Sequence, residues 1–410
     1  MVTFDRTLLL WRFPIRNLVR IFFSAGDVSG DAHCALLMRA IRQQHPTWKF
    51  AVVGGAQMQA LASEEGDEIV GDTRGLAVMG IAAVYARLPR FMKLFRRTKK
   101  WVRKNAIDAA VVCDWGAFHR RLLPFVKEKP TPVLYYFPPR SWRKTGAGAS
   151  ELAPHVDVFA TPFEWDAKRL KAHGANAEWV GHPLLEIANA AAPRETVRHE
   201  WGVEDNEKLI ALLPGSRGME LKYIAPRLAA TARLLGSTVE KGRPFKFVVA
   251  TPAEVALPRV FQNIPNIIHA RGRATEALRA CDAATVKSGT ATLEAAVCDA
   301  PQVVVYDGPW IFRLQYLLLL KRGAISFAAM PNLIAEREIV PELLGPAGSA
   351  PRLAQAIKKL LTQDTACEMR ENYLDVRRAL GEGLPQNATQ RTVELLETLL
   401  TRTVEIDRTP

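Results

Sequence analysis

The chain has 410 residues, more than one hydrophobic core usually organises, so two domains of roughly 150 to 200 residues each are expected. Hydrophobic residues make up 48% and charged residues 24%, a balance that excludes a disordered or membrane-spanning chain. Lysine and arginine number 55 against 42 acids, and the resulting charge of +13 favours anionic partners: a nucleotide, a phospholipid surface or nucleic acid.

Residues 1 to 19 read as an N-terminal extension. Their apolar run, Leu8 to Trp11, is far shorter than the roughly twenty residues of a spanning helix, and no small-residue cleavage site follows it. A segment touching a membrane surface and a merely flexible start are the two readings of it. From residue 20 onward, short apolar runs alternate with segments of helical periodicity, the pattern of βαβ units on a parallel sheet. In the first half, strands are expected at Arg20 to Ser24, Phe50 to Gly54, Ala109 to Cys113, Val133 to Phe137, Val156 to Ala160 and Glu178 to Val180.

The first strand runs into Gly26, Asp27, Val28, Ser29, Gly30 and Asp31 and then into a helix. Glycines let backbone approach a ligand, and helix-start amides favour an anion or a polar sugar, although Ser29 or Asp31 could equally cap the helix. Between Leu88 and Lys104 lie eight basic residues and no acid, with apolar side chains at 88, 91, 92, 95 and 102 in helical register. Such a helix suits an anionic bilayer surface; an ordinary domain helix with a solvated basic face is the alternative. Asp114 leaves the strand ending at Cys113, where a carboxylate could take a proton from a substrate hydroxyl or simply cap a helix.

After Pro183 comes an Ala-rich and then polar stretch with little to bury, which places the domain boundary between residues 206 and 207. Strands in the second half are expected at Leu209 to Leu213, Phe245 to Ala250, Ala284 to Val286 and Gln302 to Val305, and from Pro351 the signal is helical. The first of these leads into Pro214, Gly215, Ser216 and Arg217, whose guanidinium can pair with a diphosphate. The third leads into Lys287, Ser288, Gly289, Thr290 and, one turn on, Glu294: small residues that admit a phosphate to helix-start amides, and an acid that can accept from a ribose diol. A greasy segment, Trp310 to Arg322, is a second candidate for membrane contact or for core.

The expected fold is α/β, with two tandem doubly wound Rossmann-like domains and a ligand cleft at the carboxyl ends of their strands. Five cysteines, at 34, 113, 281, 298 and 367, form no CxxC pair and predict free thiols. No P-loop, no GxGxxG after a strand, no HExxH and no zinc-type spacing is present, and a nucleic-acid reading finds no recognition motif.

In this order the segments resemble the lipid-A-disaccharide synthase family of GT-B glycosyltransferases, over about residues 20 to 400. The likeness rests on GDVSGD at 26 to 31, Gly54 and Gly55 with Met58, GLAVMG at 75 to 80, Asp114, Thr161 to Glu164, VGHPL at 180 to 184, LLPGSR at 212 to 217, SGTATLE at 288 to 294, and Pro331 to Glu342. The resemblance implies an inverting transfer of 2,3-diacylglucosamine from UDP to the 6-hydroxyl of 2,3-diacylglucosamine 1-phosphate. That reaction gives a β-1,6 disaccharide for lipid A and lipopolysaccharide biosynthesis, by an enzyme on the cytoplasmic side, peripheral to the inner membrane. It implies no metal and no cofactor. It makes Asp114 the base, puts Ser216, Arg217, Ser288, Gly289, Thr290, Glu294 and Asn332 on the nucleotide, and places Gly26, Ser29, Gly30, Asp31, Met79 and His182 in acceptor-side loops.

The sequence departs from the family pattern at Asp27, where the family has Glu, at Ala117 and His119, where it has Asp and Asn, at 137 to 143, and at Lys287, which replaces an apolar or small residue. Most departures fall in the first half, so the donor is read more firmly than the acceptor. Two other readings stay open: a related enzyme using a UDP-sugar with another lipid acceptor or as a 2-epimerase, and a non-catalytic peripheral membrane protein.

Overall fold

A computed structural model describes residues 19–76, 81–139, 147–237, 245–309 and 327–406. The terminal extension up to residue 18, Met79, the 140–143 part of the divergent segment and the greasy segment from Trp310 lie outside them. The described residues form two units, 19–183 with 384–406, and the part of 184–383 that is described.

The first unit is built on seven strands, β1 (Arg20–Ala25), β2 (Lys49–Gly54), β3 (Glu68–Asp72), β4 (Ala109–Cys113), β5 (Val133–Tyr136), β6 (Val158–Thr161) and β7 (Ala177–Trp179). Between them run α1 (Val28–Gln44), α2 (Ala56–Glu64), α3 (Ile81–Lys104), α4 (Gly116–Val126), α5 (Ala147–Leu152) and α6 (Glu164–Ala172). The sheet order is β3-β2-β1-β4-β5-β6-β7, and every pairing is parallel. A parallel sheet hides both faces, so its strands are apolar throughout, and the alternation of side chains splits them between two cores. Ile21, Phe23, Ala25, Val111 and Cys113 enter one cluster. Phe22, Ala110 and Val112 enter the other.

The second unit repeats the plan with α7 (Leu184–Ala190), α8 (Arg194–Glu200), β8 (Leu209–Leu213), α9 (Gly218–Gly236), β9 (Lys246–Thr251), β10 (Ile267–Arg271), α10 (Ala274–Ala280), β11 (Ala283–Lys287), α11 (Thr290–Val297), β12 (Gln302–Tyr306), α12 (Met330–Ala335), β13 (Glu342–Leu344), α13 (Ala350–Leu360) and α14 (Gln363–Ala379). Its order, β10-β9-β8-β11-β12-β13, is again wholly parallel. In each sheet the winding reverses beside the first strand, between β1 and β4 and between β8 and β11, which is where open α/β sheets take ligands at their carboxyl edge.

The boundary differs from the expected 206/207. Arg194 and Arg198 pair with Asp282 at 2.9 and 3.3 Å, Asp282 also accepts from the Leu209 amide at 2.8 Å, and Arg198 reaches the carbonyls of Ala280, Glu204 and Glu207. This anchors 184 to 206 on the second unit. The last helix, α15 (Ala388–Ile406), returns to the first unit, burying Val393, Leu396, Leu399 and Leu400 in the same cluster as β1 and β4, with Glu397 2.6 Å from His45. Three strands escaped the sequence reading, β3, β10 and β13. All are sheet edges, where one side needs no partner strand and polar residues are tolerated.

The basic helix is α3, and its apolar stripe is largely a core face. Phe91 meets Trp115 and Phe118 edge-on at 5.7 and 5.5 Å, Phe95 meets Phe118 at 5.6 Å, and Val102 is buried. Of the residues expected to be greasy and outward, only Leu88 and Met92 are exposed. All five cysteines are free thiols, and among the described residues no helix is long and apolar enough to cross a membrane.

Leu396→Ala should lower the unfolding free energy by about 2–5 kcal/mol, measured by urea titration. Hydrogen exchange should show the loss at β1 and β4; a loss confined to β8 and β11 would contradict the assignment of α15.

Candidate active site

At the switch point of the first unit, two turns meet. Gly26 follows β1, and a Cβ placed there would lie 2.1 Å from the Trp115 indole, so only glycine lets the turn after β4 lean against the turn after β1. Asp27 caps α1, its Oδ1 accepting from the Gly30 amide at 2.7 Å, and a Cβ on Gly30 would crowd that oxygen at 2.8 Å. Ser29 sits partly exposed in the same first turn.

Asp114 leaves β4 half-buried with φ +47°, and Trp115 follows with φ +47°. Two successive non-glycine residues in the left-handed region cost on the order of 1–2 kcal/mol each, and the surroundings hold them there. The Asp114 amide donates to the Phe137 carbonyl at 3.1 Å, while the Asp114 carbonyl accepts from the Tyr135 hydroxyl at 2.5 Å and from His119 Nδ1 at 2.8 Å. A carbonyl cannot donate, so Nδ1 carries the proton and Nε2 accepts from the Ser24 hydroxyl at 2.9 Å. Trp115 stacks on Phe118 at 4.1 Å. Burial lowers the pKa of His119 to about 4, so the ring is neutral at physiological pH.

His182 follows β7, and its ring packs with His33 at 5.3 Å and with Phe137 at 5.4 Å. His33 is buried with no hydrogen-bond partner on Nδ1, and burial lowers its pKa to about 4 as well. Asp31 corrects an expectation. Its oxygens accept from the amides of Gly55, Gln57 and Met58 at 2.7, 2.9 and 3.2 Å, so this buried carboxylate is a bracket for the start of α2 rather than a group presented to an acceptor. Burial raises its pKa against the pull of those three amides.

At the switch point of the second unit, β8 runs into Pro214 and Gly215, whose φ of +104° and missing Cβ leave room for Glu220. Buried Glu220 accepts from the amides of Ser216 and Arg217 at 2.9 and 3.2 Å and stands 3.4 Å from the Arg217 guanidinium. Arg217 is the N-cap of α9, and its side chain is about a third exposed, 35%. Glu at the third helical position is a helix-start signature that the sequence displayed and the motif reading passed over. The other turn, after β11, places Lys287 2.8 Å from Glu220. Ser288 donates to the Ala328 carbonyl at 2.8 Å, and Gly289, with φ +140° and ψ −158°, takes a conformation open only to glycine before α11 begins at Thr290. Glu294 accepts from Thr275 at 2.5 Å, and burial raises its pKa.

Asn332 is the second correction. Its Nδ2 donates to the Val340 carbonyl and to Glu342 at 2.8 and 2.9 Å, and its Oδ1 accepts from the amides of Ile339 and Val340 at 2.8 and 2.9 Å. A fully buried carboxamide with both donors and both acceptor sites engaged has nothing left for a nucleotide.

The two buried histidines set a pH dependence. Both have folded pKa values below the ordinary 6.5, so between about pH 6.5 and 4 the unfolded chain takes up protons that the folded chain refuses, and stability must fall as pH falls through that window. Urea midpoints across that range should drop with a slope of up to two protons from these rings, and His119→Asn should remove one; an unchanged slope in the variant would contradict a neutral, buried His119.

The chain matches the family model described as lipid-A-disaccharide synthetase over residues 21–394. Among curated proteins it is 32% identical over 389 residues to lipid-A-disaccharide synthase of Myxococcus xanthus, covering 93% of this chain and 98% of that one. It is likewise 32% identical over 393 residues to lipid-A-disaccharide synthase of Azotobacter vinelandii, covering 93% and 99%. Among solved structures, UDP-GlcNAc 2-epimerase from Neisseria meningitidis, bound to UDP-GlcNAc, is similar with a TM-score of 0.57 at 12% identity, covering 93% and 100%. MurG of Acinetobacter baumannii is similar with a TM-score of 0.53 at 15% identity, covering 92% and 99%. At those identities the structural likeness speaks for the fold alone.

Proposed function

The chain belongs to the lipid-A-disaccharide synthase family, and we propose that it works through Asp114 in its first unit and the turns after β8 and β11 in its second. It is a glycosyltransferase that joins UDP-2,3-diacylglucosamine to 2,3-diacylglucosamine 1-phosphate in lipid A biosynthesis. Asp114 takes the proton from the acceptor 6-hydroxyl as that oxygen attacks the donor anomeric carbon from the side opposite the leaving group. The bond from that carbon to the β-phosphate oxygen breaks, UDP departs, and the configuration inverts. The charge that develops on the diphosphate falls on Arg217, Ser216 and the first-turn amides of α11, reached past Ser288, Gly289 and Thr290. Glu294 keeps one oxygen for the ribose diol.

The observation that carries this reading is the placement of the groups: each lies at the carboxyl edge of its own sheet, at the turns that flank a reversal of winding. On the acceptor side, Gly26, Ser29, Gly30 and His182 line the same edge of the first unit. Asp114→Asn should reduce turnover by about 10²- to 10⁴-fold with UDP affinity and melting temperature unchanged, measured by UDP release from the two acylated sugars; near-normal turnover would overturn the assignment of the base.

The acyl chains of both substrates also require a bilayer within reach. We assign that contact, on the cytoplasmic side of the inner membrane, to the outer face of α3, where Arg90, Lys93, Arg96 and Lys100 are exposed beside Leu88 and Met92. The protein should sediment with phosphatidylglycerol vesicles and not with phosphatidylcholine vesicles. Lys93→Glu, Arg96→Glu and Lys100→Glu combined should abolish that at unchanged fold, whereas full retention would place the contact elsewhere.

A further inference from the structure

The switch point of the second unit holds one more cation than the reading above uses. Lys287 is the last residue of β11, and its side chain, 16% exposed, reaches to the turn after β8, where the ammonium lies 2.8 Å from Glu220 Oε1. The same oxygen is 3.4 Å from the Arg217 guanidinium, while Glu220 Oε2 holds the amides of Ser216 and Arg217. One carboxylate therefore faces two cations at the two turns. Burial works to raise the Glu220 pKa, yet Lys287 and the amides hold it below the ordinary value, so the acid is ionised and its charge is spent within the cluster.

The ammonium also points toward the other turn. A Cβ on Gly289 would stand 3.1 Å from Lys287 Nζ, so the amine lies against the residue that opens α11. Arg217 and Lys287 thus meet at Glu220, and Lys287 also lies beside the start of α11. A lysine ammonium has three donors and a flexible stem, so it can keep Glu220 and still donate to a second anion.

We propose that Lys287 is a second diphosphate-binding cation of this enzyme, one that keeps its contact with Glu220 and also donates to the donor's β-phosphate when the donor binds. The proposal rests on the assignment of the diphosphate to these turns. In the occupied site the ammonium would sit beside the oxygen that carries the developing charge when UDP leaves, so Lys287 is expected to act on turnover as well as on affinity.

The test is calorimetric titration of the full-length protein with UDP and with uridine, alongside the transfer assay. Lys287→Met should weaken UDP by about 10- to 100-fold, the range for a lost charge-assisted hydrogen bond, and change uridine less than about threefold. Lys287→Arg should retain most of the UDP affinity. Lys287→Met with Glu220→Gln separates direct contact from mere neutralisation of Glu220: affinity for UDP that stays weak in the pair supports direct contact, whereas recovery to the wild-type value would overturn it. Equal weakening of UDP and uridine would overturn it too, since that is what a distorted turn produces. If Lys287→Met binds UDP normally while Arg217→Ala does not, only this inference fails. If the wild-type protein does not bind UDP, or Arg217→Ala leaves binding intact, the underlying assignment fails instead.

Discussion

The constraint on which the rest depends is the winding of two all-parallel sheets. A parallel strand must be reached by a crossover helix, so every strand delivers its carboxyl end to the same edge, and only where the order reverses are two neighbouring strand ends free of a crossover packed over them. In the first unit those ends are β1 and β4, in the second β8 and β11. Asp114 follows β4, Arg217 lies four residues past β8, and Lys287 ends β11. The proposed chemistry falls at these places because the topology leaves them open.

Holding the open turns in shape falls to buried polar groups that never need touch a substrate. Asp31 brackets the start of α2, Glu220 gathers the amides after β8, Asn332 ties 330 to 342 together, and the pair of His119 and Tyr135 grips the Asp114 carbonyl. Each is satisfied, as buried polar groups must be if burial is not to destabilise the fold. The left-handed backbone at Asp114 and Trp115 persists because these bonds and the stacked Trp115 and Phe118 rings over-determine it. The same logic explains why Gly26 and Gly215 cannot carry a side chain: a ring and a carboxylate already occupy the space.

Much of this was legible in the sequence. Ten strands could be read from apolar runs because strands buried on both faces are apolar at every position, and the loops that follow them could be read from their glycines, Arg217 and Asp114. What escaped reading depends on tertiary context. Edge strands β3, β10 and β13 mix polar and apolar residues, since one side faces no neighbour. Helix α15 follows the second unit in sequence but buries Leu396 in the first, and nothing local announces a return. The stripe at 91, 95 and 102 is periodic whether it faces lipid or core, and only Phe22, Trp115 and Phe118 opposite it decide the matter. Asp31 and Asn332 look like ligand groups from residue type and position, and become brackets once their hydrogen bonds are traced. Lys287 showed only as an odd residue in a familiar motif until Glu220 was found beside it.

The most direct measurement is a crystal structure of the protein with UDP bound. The account predicts the diphosphate at the carboxyl edge of the second sheet, between the turns after β8 and β11, with a phosphate oxygen within about 3.2 Å of the Arg217 guanidinium and another at the first amides of α11. A diphosphate bound at any other edge of that sheet, with Arg217 and the Gly289 turn left empty, would contradict it.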